Sequence, residues 1–396
     1  QGVNRIFWPM MIRIPKKNPT AQGSEMCPIV QGYPMVVEKS NEPFDCFGIP
    51  LDHPTFHWYD RELKHHQTIQ YLKQTFGLPE TFIEMGIREA EVALSRFRNQ
   101  LEAETEKVLK QYTRPEADKD PEAFAVLLCG RVYHADPLIN HGLTSLFTSQ
   151  GIPVLSAHFL PHLEEIDLQR VRMETYNPYH SRMLEAALFA SKYPNLELVQ
   201  VVSFGCGHDA ILSDELARIL KETASKELLV LKVDEGEARG PLNIRIKSFI
   251  ETIRARRRAR ILKEGTHYTY KPLGLPFSVQ YLKKDKKRKT ILVPNLSPSF
   301  SYIISRIMEQ KGYAIKALPV AGRRAIELGK QYVHNDICFP AQINIGEILA
   351  ELQSGNLHPS EAVAGLAKNC VACRAGQYAA LCRKALDEAG YPDVPI

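Results

Sequence analysis

No stretch of the 396-residue chain approaches the roughly 18 uninterrupted apolar residues that a membrane-spanning helix requires. The opening segment QGVNRIFWP is too short and too mixed for a secretory signal. Together these absences make the cytoplasm the expected compartment and argue against a membrane partner. Cysteine is sparse: eight residues in a chain this long do not make a disulfide framework, so they are read as reduced thiols. Charge of one sign is also scarce. The net charge is +5, modest for the length. The densest basic run, RARRRAR at 254–260, has little aromatic interleaving, so nucleic acid is not the expected partner. That run reads as a solvated helix end, with docking of an anionic partner as its alternative. No GxxxxGKS or GxxxxGKT phosphate loop is present, and the chain alone is not expected to hydrolyse ATP.

What is present is a soluble-protein composition, 44% hydrophobic and 24% charged, with length for two or three domains. Residues 1–60 are irregular and rich in proline and aromatics. They read as the remnant of an N-terminal α/β section, because residues 3–8 look like the end of a strand with nothing before it. A section of a longer polypeptide is the expectation. Residues 61–120 form a helical linker region, in which Ile87, Ala90, Leu94, Phe97 and Leu101 recur at helical spacing.

Alternating strands and helices then begin. Over 121–260 the spacing predicts strands at 123–129, 151–155, 196–204 and 227–233, with helices at 138–149, 179–191, 208–222 and 242–260. A basic linker covers 261–289. A second alternating unit covers 290–396, with strands at 290–293, 313–318 and 362–367 and helices at 299–311, 323–330, 341–354 and 377–389. Alternation of this kind predicts an α/β protein: two Rossmann- or flavodoxin-like parallel-sheet domains behind an N-terminal irregular and helical segment.

In parallel α/β folds ligands gather beyond the carboxyl ends of the strands. Three cysteines fall there. Cys206 lies in SFGCG, where Gly205 and Gly207 allow close backbone approach. Cys338 follows Asn335 and Asp336 and precedes a proline suited to a helix's first turn. Cys373 precedes the last helix. A thiolate at a helix start is favoured by the dipole and by exposed N–H groups. Cys27, in EMCPIV, is the fourth ligand candidate, and Cys370 a fifth, through its CxxC with Cys373. That CxxC alone is equally compatible with zinc or redox chemistry. Cys129 and Cys382 read as buried small hydrophobes, and Cys46 also reads best as filler.

A second constellation is the loop holding Tyr133, His134, Asp136, Asn140 and His141, dense in proton-transfer and hydrogen-bonding groups. These are candidate catalytic residues; helix capping by Asp136 and ordinary surface polarity is the alternative. His180 and Arg182 open the next helix and could reach the same loop.

Several phrases resemble a known family. GRVYHADPLINHG at 130–142 resembles the GRPYHxDPxINHG of CoA-substrate-specific enzyme activases, in the 2-hydroxyacyl-CoA dehydratase and double-cubane cluster protein superfamily. LVQVVSFGCG at 198–207, YVHNDICFP at 332–340, CRAGQY at 373–378 and CPIVQGYP at 27–34 resemble further phrases of that family, in the same order. The resemblance implies a dehydratase-like section in which Cys27, Cys206, Cys338 and Cys373 converge on an iron–sulfur cluster of 4Fe-4S or double-cubane type. Gly205, Gly207, Asn335 and Asp336 would surround it. It further implies an ATP-dependent activase of actin/sugar-kinase fold, fused or separate, that supplies an electron. A CoA-thioester or other small substrate would receive that electron, in a dehydratase or reductase reaction, and a homo- or heterodimer fits the pattern. The family's glycines before the last cysteine are replaced by Cys370, Val371 and Ala372 here, which leaves cluster type and ligand choice open. A non-catalytic regulatory or scaffolding module and a zinc-binding structural protein are the competing readings.

Overall fold

A computed structural model describes residues 2–203, 205–234, 236, 239–264, 268–368 and 373–396; of Glu264 only the backbone is described. The chain is mixed α/β. It divides into two compact units. The first comprises 1–168, 175–201 and 237–269, and the second 169–174, 202–236 and 270–396.

In the first unit, strand Ala125–Cys129 pairs in parallel with Val154–Ser156 and with residues 196–200, with Leu127 opposite both Leu155 and Leu198. Every residue of Leu196–Ser203 is buried, which is why it reads as an unbroken apolar run rather than an alternating one. Helix Pro178–Ser191 starts on Asn177, whose side chain accepts the N–H groups of Tyr179 and His180. Two short parallel pairs lie nearer the N-terminus: Ile6–Phe7 with Leu51–Asp52, and Met10–Met11 with Thr55–Phe56.

The basic run at 254–260 is a clamp rather than a solvated end. Arg257 is 2% exposed. Its guanidinium donates to the carbonyls of Ala117, Asp120, Pro121, Ala123 and Pro194 and to the side chain of Asn195. Those carbonyls belong to the chain just before the two central strands, so the arginine fixes where both begin. Arg256 pairs with Glu197, which is wholly buried in the strand, and Arg254 and Arg258 pair with Glu122. Helix Arg239–Glu264 therefore carries its cations toward partners in its own unit.

In the second unit, Thr290–Val293 pairs in parallel with Ile315–Ala317 on one side and Ala362–Ala364 on the other. Helix Pro298–Gln310 begins on Ser297, whose hydroxyl accepts the Phe300 N–H. Helices Arg323–Tyr332 and Phe339–Gln353 cross at close range. A β-carbon on Gly329 would overlap the Gln342 backbone, and one on Gly346 would overlap the Ala325 carbonyl. Leu229–Val233 and helix Gly207–Ala224 also belong here.

Two sequence expectations about these elements differ from the structure, and one stands. Residues 1–60 are not merely irregular, because Pro28–Asn41 is a 14-residue helix. Pro28, Gly32 and Pro34 disguise it: Pro28 sits where its missing N–H costs nothing, while Pro34 lies inside. The apolar stripe does fall on a helix, Glu80–Tyr112, but it stays largely at the surface; Leu94 and Phe97 are exposed. The helix expected at 138–149 is confined to Leu143–Thr148, because Asp136 and Asn140 cap turns before it. Among the described residues no helix is long and apolar enough to cross a membrane.

Candidate cysteine site

Cys27, Cys206, Cys338 and Cys373 share one local position. Each is the residue immediately before a helix: Pro28–Asn41, Gly207–Ala224, Phe339–Gln353 and the 3-10 turn Arg374–Gln377, which runs into helix Tyr378–Glu388. All four have extended ψ, between 111 and 147°. That is the conformation of an N-cap residue, where the side chain lies beside the first-turn N–H groups. Serine, threonine, aspartate and asparagine are the usual occupants, and they satisfy those groups with oxygen. Cysteine is a poor substitute as a cap. Among the described residues the sulfurs of Cys27, Cys338 and Cys373 take no capping hydrogen bond.

The structure brings three of the four loops together inside the second unit. A β-carbon on Gly207 would lie 2.6 Å from Cδ and Nη1 of Arg374 and 2.9 Å from the Asp336 carbonyl oxygen. The segment after Cys206 therefore touches the residue after Cys373 and the residue two before Cys338. Glycine at 207 is what permits the approach. Gly205 lies 3.9 Å, on the same measure, from the Asp336 carboxylate. Asn335 and Asp336 are exposed. Cys206 and Cys338 are half-buried and Cys373 is exposed. Cys27 belongs to the first unit. Cys370 lies outside the described residues.

Tyr378 contacts one of these thiols, and sequence reasoning assigned it no role. Its hydroxyl is 3.2 Å from the Cys338 sulfur. Burial, together with the Cys338 and Cys373 sulfurs, pushes the phenol well above its usual range. The phenol is thus neutral and lies within hydrogen-bond reach of the sulfur, with either group able to donate. The Cys373 turn is held from behind by Gln377, which donates to the Glu174 carbonyl at 2.8 Å and accepts the Glu174 N–H at 2.9 Å. Lys368 pairs with the Glu174 carboxylate at 2.8 Å. Both contacts join residues far apart in sequence, so no local signal announced them.

Soft thiolates are the donor type that iron–sulfur clusters take, and exposed N–H groups at helix starts can bond cluster sulfurs. The donor chemistry fits such a group. Among the described residues, no three His, Cys, Asp or Glu side chains are grouped closely enough to hold a single metal ion.

The loop nominated for catalysis has a tight internal order. His134 is 2% exposed, and its Nδ1 accepts the Arg131 N–H at 3.0 Å. Burial, then the charges of Arg131 and His158, lowers its pKa to about 4. The imidazole is therefore neutral at pH 7. Asn140, also buried, donates to the His134 carbonyl and accepts the Leu143 N–H. Asp136 accepts the Leu138 N–H at 2.8 Å, and the Tyr133 ring meets His134 edge-on. His141 adopts φ 55°. His180 Nε2 lies 3.0 Å from an Arg131 guanidinium nitrogen, while Arg182 donates to the carbonyls of Ala157 and Leu160.

Over residues 1–160 the chain matches the family model described as the CoA enzyme activase uncharacterised domain. Residues 1–160 are a CoA enzyme activase-related domain. The activase-related domain contains Cys27 and the whole loop from Tyr133 to His141, and it falls within the first unit. Cys206, Cys338 and Cys373 lie beyond it. A domain of this kind points to an activase partner in general terms. No curated protein and no solved structure matches the chain.

Proposed function

We propose that the chain is an iron–sulfur electron-transfer component that works with an ATP-dependent activase and passes electrons to a CoA-thioester or small substrate. The observation that carries this reading is the placement of Cys206, Cys338 and Cys373. Each precedes a helix in the second unit, on loops joined through Gly207, Asp336 and Arg374. A cysteine in a capping position stabilises its helix less than serine or aspartate would, so a ligand for the sulfur gives the residue choice a reason. Cys27, in the first unit, has the same local geometry before its helix.

When bound, an iron–sulfur cluster supplies one-electron chemistry at low potential. The chain's own residues prepare the surroundings. Helix N–H groups offer hydrogen bonds to sulfur. Arg374, next to Cys373, adds a cation beside an anionic centre. The Tyr378 hydroxyl is hydrogen-bonded to the Cys338 sulfur, and Gln377 keeps the Cys373 turn in place through Glu174.

Anaerobic purification and reconstitution, followed by iron and acid-labile sulfide analysis, tests the reading. A brown protein whose iron falls in Cys206→Ala, Cys338→Ala and Cys373→Ala is expected. A colourless, iron-free protein would overturn it. A regulatory or scaffolding module of an activase is the second reading, favoured by the lack of any metal-holding group of three side chains among the described residues. It predicts that Cys206→Ala and Cys338→Ala leave iron content and stability unchanged.

A further inference from the structure

The second unit contains a cavity of about 560 Å3 between helix Pro298–Gln310 and the face of its sheet, reaching Pro294, Leu296 and residues 365–368, which follow two of the strands. That volume lies within the roughly 300–1,000 Å3 typical of small-molecule sites, and one end of it opens past the carboxyl ends of two strands, where α/β sheets bind ligands. Phe300, Ile304 and Met308, spaced four apart, present one face of helix Pro298–Gln310 to it. Ile291 and Val293 of the central strand form the opposite wall.

Polar groups in this lining are few. Lys368 is already paired with Glu174. The Tyr378 hydroxyl is directed to Cys338. Asn344 is different. It is 5% exposed, it lines the cavity, and its amide has no hydrogen-bond partner among the described residues. The amide is not among the sealed polar atoms that lack a partner, so it keeps contact with solvent and can exchange water for a ligand atom. Pro340 and Asn344 lie one turn apart on helix Phe339–Gln353, so the turn that follows Cys338 also supplies this wall.

We propose that this cavity binds an uncharged, mainly apolar small molecule bearing one carbonyl-type acceptor, held by the Asn344 amide. A charged ligand would leave water for a lining that offers it no unengaged counter-charge, a large penalty. A pure hydrocarbon would fill the space but leave Asn344 unsatisfied. A carbonyl compound does both, and it would lie against the Tyr378 ring, next to the Cys338 thiol. The inference rests on the cavity and Asn344 alone. It stands whether or not iron is bound.

Ligand-observed NMR titrations of the full chain with acetophenone, toluene and benzoate test the proposal. Acetophenone is expected to bind more tightly than toluene, and benzoate not to bind. Asn344→Leu is expected to weaken acetophenone about tenfold, equivalent to about 1.4 kcal/mol, with toluene changed less than twofold. Ile304→Trp, which fills the cavity, is expected to abolish both while the circular dichroism spectrum stays unchanged. Failure of acetophenone to bind the unaltered protein would overturn the proposal. So would tighter binding of benzoate, equal losses for both ligands in Asn344→Leu, or undiminished binding in a folded Ile304→Trp variant.

Discussion

The Tyr378 hydroxyl and the Cys338 sulfur lie 3.2 Å apart, although forty residues separate them in sequence. Cys338 precedes one helix and Tyr378 begins another, so the contact joins two helix starts. Such a bond is worth about 0.5–1.5 kcal/mol net. A double-mutant cycle of Tyr378→Phe and Cys338→Ala should return a coupling energy in that range from denaturant midpoints. Strictly additive effects would show that the two groups do not interact in solution.

His134 should make the first unit sensitive to mild acid. Its folded pKa, about 4, lies below the unfolded value near 6.5. Between those values the unfolded chain binds more protons, so stability rises with pH through the window and is lost as pH falls from about 6.5 to 4. The full loss is about 3 kcal/mol by order of magnitude. His158, also lowered by burial, acts in the same direction. Thermal midpoints measured at pH 7, 6 and 5 should fall progressively, and His134→Gln should flatten part of that slope. An unchanged slope in the variant would place the titrating group elsewhere.

Arg257 should be among the least replaceable surface-type residues in the chain. Replacing it with Met keeps much of the stem but strands the carbonyls of Ala117, Asp120, Pro121, Ala123 and Pro194. Losing a buried charged hydrogen-bonding centre typically costs about 3–5 kcal/mol. Arg258→Met, by contrast, removes an exposed pair with Glu122, worth about 0–1 kcal/mol. Urea unfolding of the two variants side by side separates them, and similar losses would contradict the clamp.

This arginine also marks a limit of sequence reading. RARRRAR looks like a solvated basic surface because charge density is a local property, whereas the burial of Arg257 depends on turns 63 and 136 residues away. The α/β alternation was legible because fully buried strands such as Leu196–Ser203 leave long apolar runs. Cys206, Cys338 and Cys373 were legible as helix starts from flanking glycine and proline. Cys27 was not, because Pro34 breaks the pattern of the helix it precedes. Tyr378 and Gln377 were invisible for a related reason: their partners, Cys338 and Glu174, are distant in sequence.

The two glycines flanking Cys206 should respond differently to a methyl group. At Gly205 the nearest atom to an added β-carbon is 3.9 Å away, ordinary contact distance. At Gly207 the same carbon would meet the Arg374 side chain at 2.6 Å and the Asp336 carbonyl at 2.9 Å. The arginine tip can move, but the Asp336 carbonyl is backbone and must be displaced. Gly207→Ala therefore forces apart the loops that carry Cys206 and Cys338, at a cost of about 1–3 kcal/mol for overpacking. Gly205→Ala should change stability by less than about 0.5 kcal/mol. Adding Arg374→Ala to Gly207→Ala should recover only part of the loss, because the backbone clash remains. Equal tolerance of alanine at both positions, read from denaturant midpoints, would mean that these loops do not meet as described.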